Sequence, residues 1–326
     1  METFLEQSRT FMRAITESFH LINTSRAGVE LLSSQVARIV NAGADDRVIE
    51  ALFPMPNGTT GQNLRAHTLR PQAEKDRDLA EMWLFVVFAR YESWAESLEL
   101  EYGISNAKRG CQFPYLANGS PGFVEVFSVL TPDALMLDLY QTSVHVDRYW
   151  LPSDSDVRAA LLLYRYFKEV RNSLVHSDGR AHQRLADASN DAQGALKNLQ
   201  ASTTLRPAAV PVLSLGDPIV IDLPLVRDTI ALLQRLVFTI DARILLSTIG
   251  LDEFLRRWRH AYGPQPVKVN AKKLERPAWF DANVSHALAM PAPVVLGNPN
   301  GATWPAASRR ALVDYGVPNW LIRRLL

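Results

Sequence analysis

Apolar residues recur at helical spacing through most of this chain, and this periodicity constrains the fold more than any other feature. The clearest example is residues 153–178, where one face is apolar. Its members are Ala159, Leu162, Leu163, Tyr166, Phe167, Val170 and Leu174. Similar stripes predict helices over residues 2–41, 74–102 and 225–249. The predicted fold class is therefore mostly α, a helical bundle.

Local signals fix where several of these helices begin and end. Ser153 is one of several N-cap candidates for the central helix, and Pro224 suits a first helical turn. Gly103 predicts the end of the helix over 74–102, and Gly250 the end of the helix over 225–249. Gly179 is predicted to be a left-handed cap after the central helix.

The first of these segments leaves two interpretations open. Residues 2–41 predict either one long helix or two helices broken near Gly28, packed on the body of the protein. The alternative is a helix that pairs with a second copy of the chain. Residues 42–73 then form a connector, with room for one short helix.

The segments between the strong helices have mixed character. Residues 103–152 are irregular, with a strand or short helix over 124–130 and a helix over 134–140. Residues 180–210 predict a loosely packed helix followed by a loop. A short β-hairpin is expected near 212–221, because two short apolar runs flank Gly216-Asp217-Pro218.

These patterns divide the chain into three parts. Residues 1–73 are a helical N-terminal extension and connector, and residues 74–250 are the main helical domain. Residues 251–326 start with a short basic helix and continue as an irregular appendage rich in proline and tryptophan.

Composition excludes several classes of protein. Lys+Arg 35 against Asp+Glu 34 gives a net charge of +1, so contact with a nucleic acid must be local. Cys111 is the one cysteine, which excludes an intrachain disulfide and disfavours a zinc cluster. The sequence has no apolar run of membrane-spanning length and no signal-peptide pattern at its start. We therefore expect a cytoplasmic protein without metal or cofactor.

The residues that can carry chemistry stand at the end of the central helix, in the stretch Arg171-Asn172-Ser173-Leu174-Val175-His176. A guanidinium suits phosphate oxygens, and an imidazole exchanges protons near neutral pH. A carboxamide can orient the imidazole or donate to a phosphoryl oxygen. RNA provides its own nucleophile in the ribose 2′-hydroxyl, so this set can cleave RNA without a metal ion.

Helix geometry restricts how this set can work. Residues five apart on a regular helix point about 140° away from each other. Arg171 and His176 can therefore converge on one phosphate only if the helix kinks or ends between them, or if a second copy of the motif completes the site. A structural alternative is a helix end where Arg171 pairs with Glu169 or Asp178 and the histidine caps carbonyl groups.

The string Arg171-Asn172-x3-His176 resembles the motif of HEPN domains (higher eukaryotes and prokaryotes nucleotide-binding). The resemblance covers roughly residues 74–250 and implies an all-α bundle that dimerises, bringing two copies of the motif into one cleft. Many members are metal-independent endoribonucleases of toxin–antitoxin, abortive-infection and antiphage systems. By this resemblance Arg171 and His176 are the expected catalytic residues and Asn172 the supporting polar residue.

Three further residues are candidates for auxiliary roles at the site. Arg90 and Glu92 interrupt an apolar segment of the helix over 74–102, where a surface or ion-paired role competes with a role in the site. Arg165 lies on the central helix itself. The expected partners are RNA, a second copy of the chain, and an antitoxin or defence-system protein.

Two other functions remain open at this stage. The first is a non-catalytic module of the same fold that binds a nucleotide or a partner protein. The second is a structural or regulatory subunit of a defence complex that docks through residues 1–41 and 251–326.

Overall fold

Helices account for most of the described chain, which confirms the predicted mostly α fold class. The computed structural model describes residues 3–54, 63–113, 122–134, 136–137, 151, 153–202 and 210–262. The helices are α1 (Glu6–Asn41), α2 (Asp46–Leu52), α3 (Leu64–Thr68), α4 (Gln72–Tyr102), α5 (Ala107–Gly110), α6 (Gly122–Ser128), α7 (Asp154–His176), α8 (Gln183–Ser202), α9 (Leu223–Leu245) and α10 (Thr248–Tyr262). None of these described helices is long and apolar enough to cross a bilayer.

Helix α1 continues through Gly28 without a break and packs antiparallel on α4. Polar pairs mark the register along the whole contact. Trp94 Nε1 donates to Ser8 Oγ at 3.1 Å, and Trp83 Nε1 donates to Ser18 Oγ at 3.0 Å. Further along, an ion pair joins Arg26 on α1 to Asp76 on α4. The interpretation of residues 2–41 as one long helix packed on the body is therefore confirmed.

The start of α1 is held by a carboxylate from a distant helix. No side chain within α1 caps its N-terminus. Instead the buried Asp241 on α9 accepts the N–H groups of Phe4, at 2.6 Å, and Leu5, at 2.9 Å. Burial raises the pKa of Asp241, and these hydrogen bonds and the nearby Arg257 guanidinium oppose that rise. The N-terminus of α1 is thus fixed to α9, at a residue 237 positions from Phe4 in the sequence.

The central helix α7 contributes many buried residues to the larger of the two described hydrophobic clusters. Ser153 caps it by accepting the N–H of Asp156, as predicted. The ring of Tyr164 packs against Phe88 and Tyr91 of α4, with centroids 5.3 and 5.0 Å away. Helices α8 and α9 also contact α7. Helix α7 is therefore buried by packing on several sides.

Helix α8 is packed more tightly than the sequence predicted. Residues 180–210 were expected to form a loosely packed helix, yet the contact between α7 and α8 is the most extensive helix pair in the described chain. The reason is its small side chains, which allow close approach of the two backbones. Those buried against the core include Ala186, Ala188, Ser189, Ala192 and Ala195.

The predicted hairpin near 212–221 is wrong. Residues 210–222 form no strand, and the isolated bridge of this segment joins Pro218 to Arg180. Gly216 adopts a φ of 86° in a turn that Asp217 closes by accepting the N–H of Ser214 through its side chain. From Gly216 onward the main chain bonds to the loop after α7, whereas Leu213 before the turn donates its N–H to Ser189 on α8.

Several other segment predictions can be compared with the structure. Two short helices, α2 and α3, occupy the described part of the connector, and α6 shows that 122–128 is helical rather than a strand. Residues 134, 136 and 137 are helical, while the rest of the predicted helix over 134–140 lies outside the described residues, as does the appendage from 263 onward. Helix α9 ends at Leu245 instead of Gly250, because α10 begins at Thr248.

The domain boundaries placed at 73/74 and 250/251 stay predictions. Buried residues of α1 and α10, including Phe11 and Phe254, belong to the same hydrophobic cluster as α4, α7, α8 and α9. A second, smaller cluster of Val36, Ile49 and Leu64 lies where the end of α1 meets α2 and α3. The chain on either side of both boundaries therefore contributes to one core.

We predict that Cys111 is inert to alkylation in the folded protein. Its side chain is buried, and burial raises the pKa of the thiol to about 12, whereas the thiolate is the reactive form. The pKa of this thiol in the unfolded chain is about 8.5, and below that pH its contribution to the free energy of unfolding is fully present. The contribution is lost as the pH rises toward the pKa of the thiol in the folded protein. Iodoacetamide should label the chain in concentrated guanidinium chloride and leave the native protein unlabelled at neutral pH, as read by mass spectrometry. Rapid native labelling would contradict the packing around α5.

Candidate functional site

The predicted motif lies on the last two turns of α7, and the helix remains regular through it. Helix α7 includes both Arg171 and His176 and is capped at Ser177. The two side chains are therefore about 140° apart around the axis and about 7.5 Å apart along it. A kink or a helix end between Arg171 and His176 would bring the two side chains together, but α7 has neither at this point.

After His176 the chain turns sharply in the way that the sequence predicted. The N–H of Ser177 bonds to the carbonyl oxygen of Ser173 at 2.9 Å. Gly179 adopts the left-handed conformation with a φ of 69°, and Asp178 is also left-handed, with a φ of 50°. This turn redirects the backbone so that the following loop folds back along the end of α7.

Arg171 points toward the side of α7 that faces α4. Its Nη1 donates to Asn172 Oδ1 at 3.2 Å, and its Nε is buried without a hydrogen-bond acceptor among the described residues. The pKa of the buried Tyr164 is raised well above its ordinary value, chiefly by burial and then by the charge of Glu92, while the Arg171 charge opposes the rise. The Arg171 guanidinium therefore lies close to Tyr164, with its Nε buried and the side chain as a whole partly exposed.

Glu92, one of the predicted auxiliary residues, belongs to this same face. Its carboxylate lies 3.0 Å from Nζ of Lys168, and Lys168 also donates to Gln112 Oε1 at 2.8 Å. The ammonium group sits 5.2 Å from the centre of the Phe113 ring. Glu92 and Arg171 thus both lie near Tyr164. Glu92 also belongs to a polar cluster with Lys168 and Gln112, between α4, α5 and α7.

The other two auxiliary candidates are not joined to the motif. Arg90 lies on a different side of α4, in a cavity of about 280 Å³ between α1 and α4 that Phe11 and Trp94 also line. Arg165 makes no hydrogen bond or ion pair with the part of the chain that the structure describes. Arg90 is therefore not placed to assist Arg171 or His176 within one chain. Arg165 is four residues before Glu169 on α7, and its auxiliary role stays a prediction.

Asn172 connects Arg171 to a second polar face of α7. Its Nδ2 donates to Glu169 Oε2 at 3.5 Å, while its Oδ1 accepts from Arg171. Glu169, Asn172 and His176 are three and four residues apart, so they form one stripe along the helix. The alternative in which Arg171 pairs directly with Glu169 or Asp178 is not what the structure shows, because Asn172 stands between the two charges.

His176 is exposed at the end of this stripe. It makes no hydrogen bond or ion pair with any described residue, and its neighbour Val175 is also exposed. An imidazole in this position can meet a ligand or a second protein molecule without first breaking a contact in its own chain.

A second histidine, His182, was missed by the sequence reasoning. It caps α8 by accepting the N–H of Leu185 on Nδ1 at 3.1 Å, and its Nε2 lies 3.5 Å from Glu169 Oε2. The signal that could have found it is a polar residue immediately before a helix that follows a glycine turn. Histidine is an uncommon cap, and its contact with Glu169 joins two segments that no local pattern connects.

The loop that carries His182 is fastened by the segment where a hairpin was predicted. The N–H of Ala181 bonds to the carbonyl oxygen of Asp217 at 2.9 Å, and the N–H of Gly216 bonds back to Ala181 at 2.8 Å. The N–H of Ile219 bonds to the carbonyl oxygen of Gly179 at 2.9 Å. These main-chain bonds hold the loop against the end of α7.

No protein-family model, curated protein or solved structure matches this chain. The similarity to HEPN domains therefore rests on Arg171, Asn172 and His176 and their spacing, and it stays a prediction. Within the described residues, no three His, Cys, Asp or Glu side chains are grouped so as to hold a metal ion.

We predict that Ser173, the buried serine of the motif, can be replaced by alanine without loss of stability. Its Oγ is fully buried and has no hydrogen-bond partner among the residues that the structure describes, so Ser173→Ala should leave the free energy of unfolding unchanged or raise it by up to about 1 kcal/mol. Ser189 on α8 is the matched control, because its equally buried Oγ donates to Ala186 and accepts the N–H of Leu213.

Ser189→Ala should lower the free energy of unfolding by about 1 to 2 kcal/mol, since it leaves the partly buried N–H of Leu213 without an acceptor. Guanidinium chloride denaturation of the two variants measures the difference. Equal losses in both would mean that Ser173 Oγ has a partner in the folded protein.

Proposed function

We propose that this protein is a metal-independent endoribonuclease of the toxin or antiphage-defence type, acting in the cytoplasm. The observation that carries the proposal is the exposed His176 at the end of α7, in the same motif as the Arg171–Asn172 hydrogen-bonded pair. These are the groups that 2′-hydroxyl attack on a phosphodiester requires. The resemblance of the motif to HEPN domains gives the same chemistry.

The proposed reaction needs one proton acceptor, one proton donor and a cation. The 2′-oxygen attacks phosphorus, the bond from phosphorus to the 5′-oxygen breaks, and a 2′,3′-cyclic phosphate and a 5′-hydroxyl result. The role of His176 is one of the two proton transfers: its neutral imidazole takes the proton of the 2′-hydroxyl while water protonates the leaving 5′-oxygen, or its protonated form gives a proton to the 5′-oxygen while water takes that of the 2′-hydroxyl. Arg171 offsets the negative charge that develops on the phosphoryl oxygens, and Asn172 supports it.

A homodimer is part of this proposal because of the helix geometry. A single regular α7 separates Arg171 from His176 by about 140°, which is too far for one phosphate to meet both. Two copies of the chain that approach through the ends of α7 would place the arginine of one beside the histidine of the other. An antitoxin or other defence-system protein that covers this region would restrain the activity.

One observation favours a second function, a non-catalytic module that binds a nucleotide or a partner. The Arg171 side chain is turned toward the buried Tyr164, and one of its donors is already used by Asn172. A guanidinium in this position supports the helix end as readily as it supports a reaction. The following assay separates the two functions.

We predict that the purified wild-type protein cleaves total RNA in the presence of EDTA, leaving cyclic phosphate or 3′-phosphate ends. Arg171→Ala and His176→Ala should each lower the rate by about 10²- to 10⁴-fold, because each removes a group that acts at phosphorus. Ser173→Ala is the control within the same motif and should cleave at the wild-type rate. RNA left intact by the wild type, or cut equally by all variants, would contradict the proposal.

A mixing experiment tests whether the site is shared between subunits. Arg171→Ala and His176→Ala proteins, unfolded together and refolded, should regain activity up to about one quarter of wild type, since half of random dimers are mixed and each has one intact pair. Each variant refolded alone should remain inactive. A mixture that never exceeds the separate variants, although mixed dimers form, would contradict a site built from one arginine and one histidine of different chains.

A further inference from the structure

We infer that Glu169 and His182 are positioning residues that hold Asn172, and through it Arg171, in one orientation. This inference rests on the proposed function, since it concerns how the cleaving arginine is prepared. Its basis is a chain of four side chains in contact order, Arg171, Asn172, Glu169 and His182. The first two links are hydrogen bonds of 3.2 and 3.5 Å, and the third is a contact of 3.5 Å between Oε2 of Glu169 and Nε2 of His182.

His182 sets the orientation of these four linked side chains. Nδ1 of His182 accepts the N–H of Leu185, so the ring proton of the neutral imidazole is on Nε2 and faces Glu169. Main-chain bonds from Ala181 and Gly216 fix the loop on which the ring stands. The ring therefore cannot flip without uncapping α8.

Glu169 transmits this orientation to Asn172. Its side chain is only 14% exposed, and the same oxygen, Oε2, lies within 3.5 Å of both His182 Nε2 and Asn172 Nδ2. A carboxylate accepts and cannot donate, so it selects the amide rotamer in which Nδ2 faces Glu169. Asn172 Oδ1 then points to Arg171, where it accepts from Nη1. An amide rotated by 180° would present N–H groups to the guanidinium, which has no acceptor.

This arrangement makes His182 a positioning residue and not a second acid or base. Both of its ring nitrogens are already directed to groups in the chain, one to Leu185 and one to Glu169. The imidazole that is exposed at this end of α7 is that of His176. The sequence alone placed one histidine in the site, and the structure assigns a different task to the other.

The test uses Glu169→Gln and His182→Asn in the full-length protein. Glutamine keeps the shape of Glu169 and removes its charge, and asparagine keeps an oxygen that can cap α8 while removing the imidazole. Asp76→Asn is the matched control, because it removes a partly buried carboxylate paired with Arg26 on the far side of α4. Protection of Cys111 from iodoacetamide shows that each variant is folded.

The first readout does not depend on activity. In wild type the side-chain amide of Asn172 and the Nε–H of Arg171 should give distinct, slowly exchanging ¹⁵N–¹H signals. Glu169→Gln and His182→Asn should shift the Asn172 signals and speed exchange of the Arg171 Nε–H with water, and Asp76→Asn should leave both unchanged. Signals that stay at their wild-type positions in Glu169→Gln would overturn the inference, whether or not the protein cleaves RNA.

The second readout is RNA cleavage. Glu169→Gln should lower kcat by about 10-fold or more with KM changed by less than about 3-fold, since a misoriented arginine loses its contact in the transition state. A wild-type kcat in Glu169→Gln, or a change confined to KM, would overturn the inference and leave the proposed function standing. If the wild type cleaves nothing, the proposed function fails, and the amide signals alone decide the positioning of Asn172.

Discussion

The packing of α7 inside the bundle is the constraint on which the rest of the structure depends. Tyr164 contacts α4 through two aromatic rings, the small residues of α8 lie along another side, and α9 contacts a third. A helix enclosed in this way has little freedom to bend, because a kink would open cavities in the core. Its last two turns therefore present a partly buried Arg171 beside Tyr164 and an exposed His176 on another side of the helix.

Sequence reasoning succeeded where the cause of a structure is local. The apolar stripe of α7, its cap at Ser153 and the left-handed Gly179 all follow from residues within a few positions of each other. The motif could be recognised for the same reason, since Arg171, Asn172 and His176 lie within six residues of each other, and its role stays a prediction. Local sequence also predicts the position of each side chain around the helix, including the angle of about 140° between Arg171 and His176.

The failures have long-range causes. The segment 212–221 has apolar runs and a turn, as a hairpin would, but its main-chain groups bond to the loop at 179–181, which only the folded chain brings close. Helix α8 looks polar in sequence because alanine and serine give a weak apolar signal, although they pack well. The contact between Glu169 and His182 could not be predicted for both of these reasons. The loop that carries His182 is held by the segment 212–221 and leads into α8.

These long-range contacts change how the candidate site should be understood. Six contiguous residues suggest a self-contained motif, whereas the structure ties Arg171 to Asn172, Glu169 and His182 and leaves His176 alone at the surface. One half of the motif is thus preorganised by its own chain, and the other half is open to whatever approaches the end of α7. A reaction that needs both halves at one phosphate then requires an approach by a second copy, because straight helices can bring the two groups together only across an interface.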